Sequence, residues 1–214
     1  MIDLLYQHII DEAFPQKDGD GDGGSKRTDV LATVVCLQTP LSMEGIASLL
    51  DLEFRDVQFS LSPLQSVIRA PDNGSVSIFH ASFPAFIIDP NRCLRHSVVA
   101  SHAHHQLAIK YLHSLNTSLR RNICHLPEGR MTTLPHKITD ASVIISETLR
   151  YSCLCWASHL SEALASLPAD AVPMLDHLCT FANNHLLHWF ECLSEFGELE
   201  SGLNRFARRK KQSQ

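Results

Sequence analysis

The segment SVIRAPDNGSVSIF, residues 66 to 79, limits the possible folds more than any other part of the chain. Two short runs of strand character flank Pro71–Asp72–Asn73–Gly74, a turn sequence that joins neighbouring antiparallel strands. Val76 and Ile78 alternate with Ser75 and Ser77, so one side of the second strand is expected to be buried and the other wet. Outside this hairpin the apolar residues recur at helical spacing. His80 then stands where the second strand ends and another helical run begins.

Upstream, IDLLYQHIIDEAF (2 to 14) places Leu5, Ile9 and Ile10 at helical spacing, and Pro15 ends that run. QKDGDGDGGSKR follows with no apolar anchor and reads as a linker. A second helix is expected from Thr28 or Asp29, with Val30, Leu31, Val34 and Val35 on its inner face. Ser42 is placed to cap a short helix containing Ile46, Leu49 and Leu50. Asp51 is placed to cap a third, with Val57, Leu61 and Leu64 in one stripe and Pro63 limiting its end. Three helices followed by a hairpin form a winged-helix pattern.

Downstream of His80, Phe83, Phe86 and Ile87 keep helical spacing, and Pro84 fits a first turn. Residues 101 to 120 align Ala108, Tyr111, Leu112, Leu115 and Leu119. Residues 140 to 165 align Ile145, Leu149, Cys153, Trp156 and Leu160. Residues 172 to 206 carry Leu175, Leu178, Leu186, Trp189, Phe190 and Leu193. Antiparallel packing is the economical way to bury such faces. The end, RRKKQSQ, is a short basic tail expected to fray.

The 214 residues suffice for one large domain or two small ones, and 44% hydrophobic residues suffice for a substantial core. Charged residues make up 19%, below the roughly 25% of an ordinary globular chain, as expected of a surface partly covered by something else. The net charge of −5 and isoelectric point near 6.2 disfavour a polyanionic partner. Between residues 30 and 95, four Arg face six Asp or Glu with no Lys. The third helix opens Glu53–Phe54–Arg55–Asp56, so a phosphate backbone would be repelled on average. Asp3, Asp11 and Glu12 break up the first residues as a secretory signal, and no apolar run approaches a membrane span. Seven cysteines without framework spacing read as reduced thiols of a cytoplasmic protein.

Few residues suggest chemistry. DGDGDGGSKRTD sets Asp18, Asp20, Asp22 and Asp29 at the spacing of a calcium loop with Gly23 at its turn, but Ser25 stands where an apolar anchor belongs. The same glycines do not make a phosphate loop, because Ser25 separates Gly24 from Lys26 and aspartates line the stretch. His102 and His105 could share a helix face, as could Cys155 and His159, but neither pair has a third ligand. Cys153 and Cys155 point apart. No triad, nucleophile elbow or paired carboxylate stands out, so an enzyme is not expected.

Taken in order, these segments resemble the region that follows the nucleotide-binding core of fungal NACHT proteins, the NLR-like signalling NTPases. IDLLYQHIIDEAF resembles the helix that closes the NACHT module. DVLATVVCLQTPLSMEGIASLLDLEFRDVQFSLSPLQSVI resembles the start of the winged helix. VSIFHASFPAFIIDPNRC, LRRNIC, LRYSCLCWASHL and NNHLLHWFECLSEFGELESGL resemble later landmarks. In that class of switch ATPases a winged-helix histidine after the second wing strand reaches the phosphates of bound ADP and helps to hold the off state. His80 occupies the matching place, so the resemblance implies an ADP-sensing role for it once a nucleotide domain is supplied. The other role open to His80 is structural, as a cap on the turn that follows.

The resemblance departs where the chemistry would be. No GxxxxGK[ST] motif is present, so the chain is not expected to bind or hydrolyse ATP by itself. A fragment, a truncated product and a free regulatory piece are all compatible with the sequence.

The expected organisation is mainly α. Residues 1–14 form a helix resembling the end of a NACHT module, and 15–28 a flexible linker. Residues 29–95 form a winged helix of three helices and a β-hairpin wing, 96–206 an antiparallel helical domain, and 207–214 the tail. The expected function is non-catalytic, without cofactor or metal of its own: a regulatory module that packs on a nucleotide-binding NACHT domain in cis or in trans, without nucleic-acid or membrane partners. The alternative is a free-standing winged-helix regulator that binds nucleic acid, supported only by the basic tail.

Overall fold

The computed structural model describes residues 2–14, 22–125, 144–165 and 171–208. They form two units, residues 1–103 and 104–214, each with its own core. Most described residues are helical. One two-stranded sheet is present among them.

The first unit opens with α1 (Ile2–Ala13), whose buried side chains are Tyr6, Ile10 and Ala13. This stripe is rotated from the expected one, for Leu5 is 57% exposed. The cause is tertiary. The Tyr6 ring is drawn against Phe83 and Phe86, with centroids 5.4 and 5.5 Å away. On the same helix Asp3 accepts two hydrogen bonds from the Arg92 guanidinium, at 2.7 and 2.9 Å.

Helix α2 spans Asp22–Cys36 and buries Val30, Leu31 and Val34. It starts well before Thr28, so the part of the expected linker from residue 22 onward is helical, while residues 15–21 lie outside the described ones. Polar contacts anchor this first part in place of apolar ones. Lys26 pairs with Asp56 at 3.6 Å, the Arg27 guanidinium lies 4.5 Å from the Phe59 ring centroid, and Thr28 Oγ1 donates back to the Gly24 carbonyl.

Ser42 caps α3 (Met43–Leu50) as expected, its Oγ accepting from the Gly45 N–H at 3.0 Å. Asp51 does not cap the next helix. It closes α3 in the left-handed conformation, φ 59°, with its N–H on the Ala47 carbonyl. Glu53 takes the cap position of α4 (Phe54–Leu61) without a side-chain bond. A 3₁₀ turn at Ser62–Leu64 contains Pro63 and finishes the run.

The hairpin pairs β1 (Ile68–Arg69) with β2 (Ser77–Ile78), Ile68 opposite Ile78 and Arg69 opposite Ser77. Ser75 also bridges to Ser42, and the Val76 N–H donates to the Leu41 carbonyl at 2.7 Å, which fastens the hairpin to the segment before α3. Val76 and Ile68 are buried, whereas Ile78 is half-buried and Phe79 is 62% exposed. Helix α5 (Ser82–Ile87) follows, with Phe83, Phe86 and Ile87 fully buried.

Helix α6 (Ala100–Ser118) leads into the second unit, where Leu107, Ala108, Tyr111, Leu112 and Leu115 are buried. Ser146 caps α7 (Glu147–Leu164), accepting from the Leu149 N–H. Residues 172 to 206, expected to be helical, fall in three helices: α8 (Val172–Asn184), α9 (Leu186–Glu195) and α10 (Leu199–Arg208). Gly197, at φ 72°, supplies the left-handed turn before α10, with the Glu198 N–H on the Leu193 carbonyl. On α8 the inward residues are Met174 and Phe181, while Leu175 of the expected stripe is 43% exposed. Trp156, Phe181 and Trp189 meet edge to face with centroids 4.9 to 6.1 Å apart, and the Trp189 indole donates to the Cys153 carbonyl.

Candidate functional site

The strand-to-helix joint of the first unit is built by three side chains. β2 ends beside Phe79, and the Phe79 N–H donates to the Val67 carbonyl at 3.0 Å, which fixes the backbone entering His80. The His80 carbonyl accepts the Phe83 N–H, so the chain turns at once into α5. The His80 ring then folds back along this turn. Its Nδ1 accepts from the Ser82 backbone N–H at 3.1 Å and lies 2.7 Å from Ser82 Oγ. Ser82 Oγ is in turn 2.8 Å from the Tyr6 hydroxyl of α1. His80 is therefore exposed, with its ring capping the turn that follows, the structural role of the two that the sequence left open. One ring nitrogen is engaged inside the fold, and Nε2 has no protein partner among the described residues.

Helix α1, which supplies Tyr6, also pairs its Asp3 with Arg92 of the loop after α5. The Arg92 guanidinium holds the Asp3 carboxyl below its ordinary range, chiefly by hydrogen bonding and further by its charge. Arg92 also lies over the Phe86 ring at 5.9 Å.

The other sequence candidates separate in space. Asp22 and Asp29 lie within α2, about 10 Å apart along its axis at 1.5 Å per residue, too far for one ion. Asp18 and Asp20 lie outside the described residues. His102 is exposed and His105 buried. Cys155 accepts from Arg205 at 3.5 Å, whereas His159 is engaged elsewhere. Its Nδ1 lies 2.9 Å from His104 Nδ1 and its Nε2 3.2 Å from the Tyr151 hydroxyl. No cluster of three His, Cys, Asp or Glu able to hold a metal occurs among the described residues.

The buried thiols Cys153 and Cys124 are poorly placed as nucleophiles. Cys153 and Cys192 are buried with sulfurs 3.9 Å apart, and their hydrogen bond together with burial pushes the Cys153 thiol well up. Burial, reinforced by the Glu195 charge, pushes Cys124 up to about 11. An open groove of about 640 Å³ beside α4 is lined by Arg55, Phe59, Gln65 and Asp72, and it does not include the joint. No described helix is long and apolar enough to cross a membrane.

Reading the sequence singled out His80 but missed Tyr6 and Ser82. Ser82 is two positions from His80 and could have been suspected as a turn partner. Tyr6 is 76 residues from Ser82, and no local signal pairs them. The His104–His159 contact was missed for the same reason.

Among curated proteins, the chain is similar to the vegetative incompatibility protein HET-E-1 of Podospora anserina, with 23% identity over 225 aligned positions. The alignment covers 95% of this chain and 16% of the length of that protein. No family model and no solved structure matches.

Proposed function

We propose that this chain is a non-catalytic regulatory module that packs against a NACHT-type nucleotide-binding domain, supplied in the same polypeptide or by another. In this reading residues 29–95 act as a winged helix, and His80 contacts a phosphate of ADP held by the partner domain. The observation that carries the proposal is the geometry of the joint: an exposed imidazole anchored through Nδ1, with Nε2 available to a group outside the fold. The Ser42–Ser75 bridge beside the hairpin supports the winged-helix part. The similarity to an incompatibility protein over nearly the whole chain supports the signalling part. Exposed Phe59, Phe79, Ile88 and Leu94 supply apolar surface on the same unit for a neighbouring domain to cover. Without a phosphate loop in this chain, the nucleotide must be held by the partner.

The test supplies a fungal NACHT nucleotide-binding domain whose own following segment resembles this chain. Calorimetry should show binding to the ADP-loaded domain that is at least tenfold tighter than to the ATP-loaded one, because only the off state presents a phosphate to His80. Equal affinity for both forms, or stoichiometric binding of ADP to this chain alone, would contradict the reading.

A further inference from the structure

We infer that Tyr6 and Ser82 are positioning residues that hold His80 in the Nε2–H tautomer, so that the ring presents a hydrogen-bond donor to its surroundings. The direction of one of these hydrogen bonds is fixed by its chemistry. The Ser82 backbone N–H can only donate, and it points at His80 Nδ1 from 3.1 Å. Nδ1 must therefore be bare. A proton there would face the amide proton, and the cap would be lost.

With Nδ1 bare, the Ser82 hydroxyl at 2.7 Å is favourable only if it donates its own proton to the ring. Both donors then share the single ring lone pair. That leaves the Ser82 oxygen as an acceptor toward α1, where the Tyr6 hydroxyl lies 2.8 Å away and donates. Tyr6 is 5% exposed and packed against Phe83 and Phe86, so its oxygen has little freedom to move. The chain runs in one direction, from Tyr6 O–H to Ser82 O–H to His80 Nδ1. A neutral imidazole with a bare Nδ1 carries its proton on Nε2, the nitrogen without a protein partner among the described residues.

A fixed Nε2–H suits an acceptor-only oxygen, such as that of a phosphate or carboxylate, and rejects a donor. The link to nucleotide rests on the proposed function, but the relay itself does not. It concerns only the first unit of the chain in its ligand-free state.

Ring-nitrogen NMR of the whole chain near pH 8 reads the tautomer directly. His80 should show Nε2–H as the major form. Tyr6→Phe and Ser82→Ala keep the Ser82 backbone N–H and should leave Nε2–H the major form, but each should raise the minor Nδ1–H population several-fold, with the larger change in Ser82→Ala, and Ser82→Thr should restore the parent spectrum. Amide spectra check that each variant is folded; should Ser82→Ala fail to fold, Tyr6→Phe, which keeps the ring packing, carries the test. A parent spectrum with mainly Nδ1–H or an even mixture would overturn the relay, as would an unchanged Nδ1–H population in Tyr6→Phe. A single Nε2–H tautomer with no effect of His80 on ADP release would leave the relay standing and remove the nucleotide role.

Discussion

At the scale of residues, His80 owes its position to a cap made at the surface. Because water can replace the ring as partner of the Ser82 N–H, His80→Ala should cost about 0.5–1 kcal/mol, the low end for lost caps. Urea denaturation monitored on the first unit measures it. A loss above about 2 kcal/mol would mean that the ring is needed as a sealed structural element. Asp3 gives a pH-dependent case. Its carboxyl is held below its ordinary value when folded, so its contribution is present at neutral pH and declines as pH falls through the carboxylate range. Asp3→Asn should lower stability at pH 7 and flatten its decline between roughly pH 5 and pH 3. Equal decline in both proteins would show that the Arg92 contact contributes nothing to folding.

At the scale of elements, α10 is held through a close approach. A Cβ on Gly202 would lie 2.6 Å from Leu193 Cδ1 and 3.0 Å from Cδ2, both on α9. Gly202→Ala gains helix propensity but forces Leu193 aside, so a net loss of about 1–3 kcal/mol is expected in thermal denaturation of the chain. A more stable variant would mean that α9 and α10 part easily. The same elements show what could be read in advance. Phe83, Phe86 and Ile87, and Tyr111, Leu112 and Leu115, are buried where their spacing put them, because each stripe faces a core broad enough to accept it. Spacing failed on α1 and α8, where one partner chose the face: Phe83 and Phe86 draw Tyr6 inward at the expense of Leu5, and Trp156 and Trp189 draw in Phe181. It failed again at the start of α2, since Lys26 and Arg27 find Asp56 and Phe59 only after the helices have packed. Of the joint, the turn and its histidine were legible from residues 75 to 90, whereas the hydroxyl from α1 depended on a contact that no local pattern encodes.

At the scale of the whole molecule, the cysteines report on both cores together. Six are buried and Cys179 is exposed. A thiol reagent should modify one site quickly in the native protein and all seven after denaturation. Rapid modification of several native thiols would mean that the cores open readily. The low charge content of the chain and the exposed apolar side chains of the first unit fit the proposed module that works against a nucleotide-binding neighbour. The direct measurement is the rate of ADP release from the nucleotide-binding domain complexed with this chain, comparing the parent with His80→Ala. Loss of one hydrogen bond to a charged phosphate oxygen, about 1.5–3 kcal/mol, should speed release about ten- to hundredfold while the variant still binds the domain. Unchanged release from an intact complex would contradict the account and leave His80 as a cap alone.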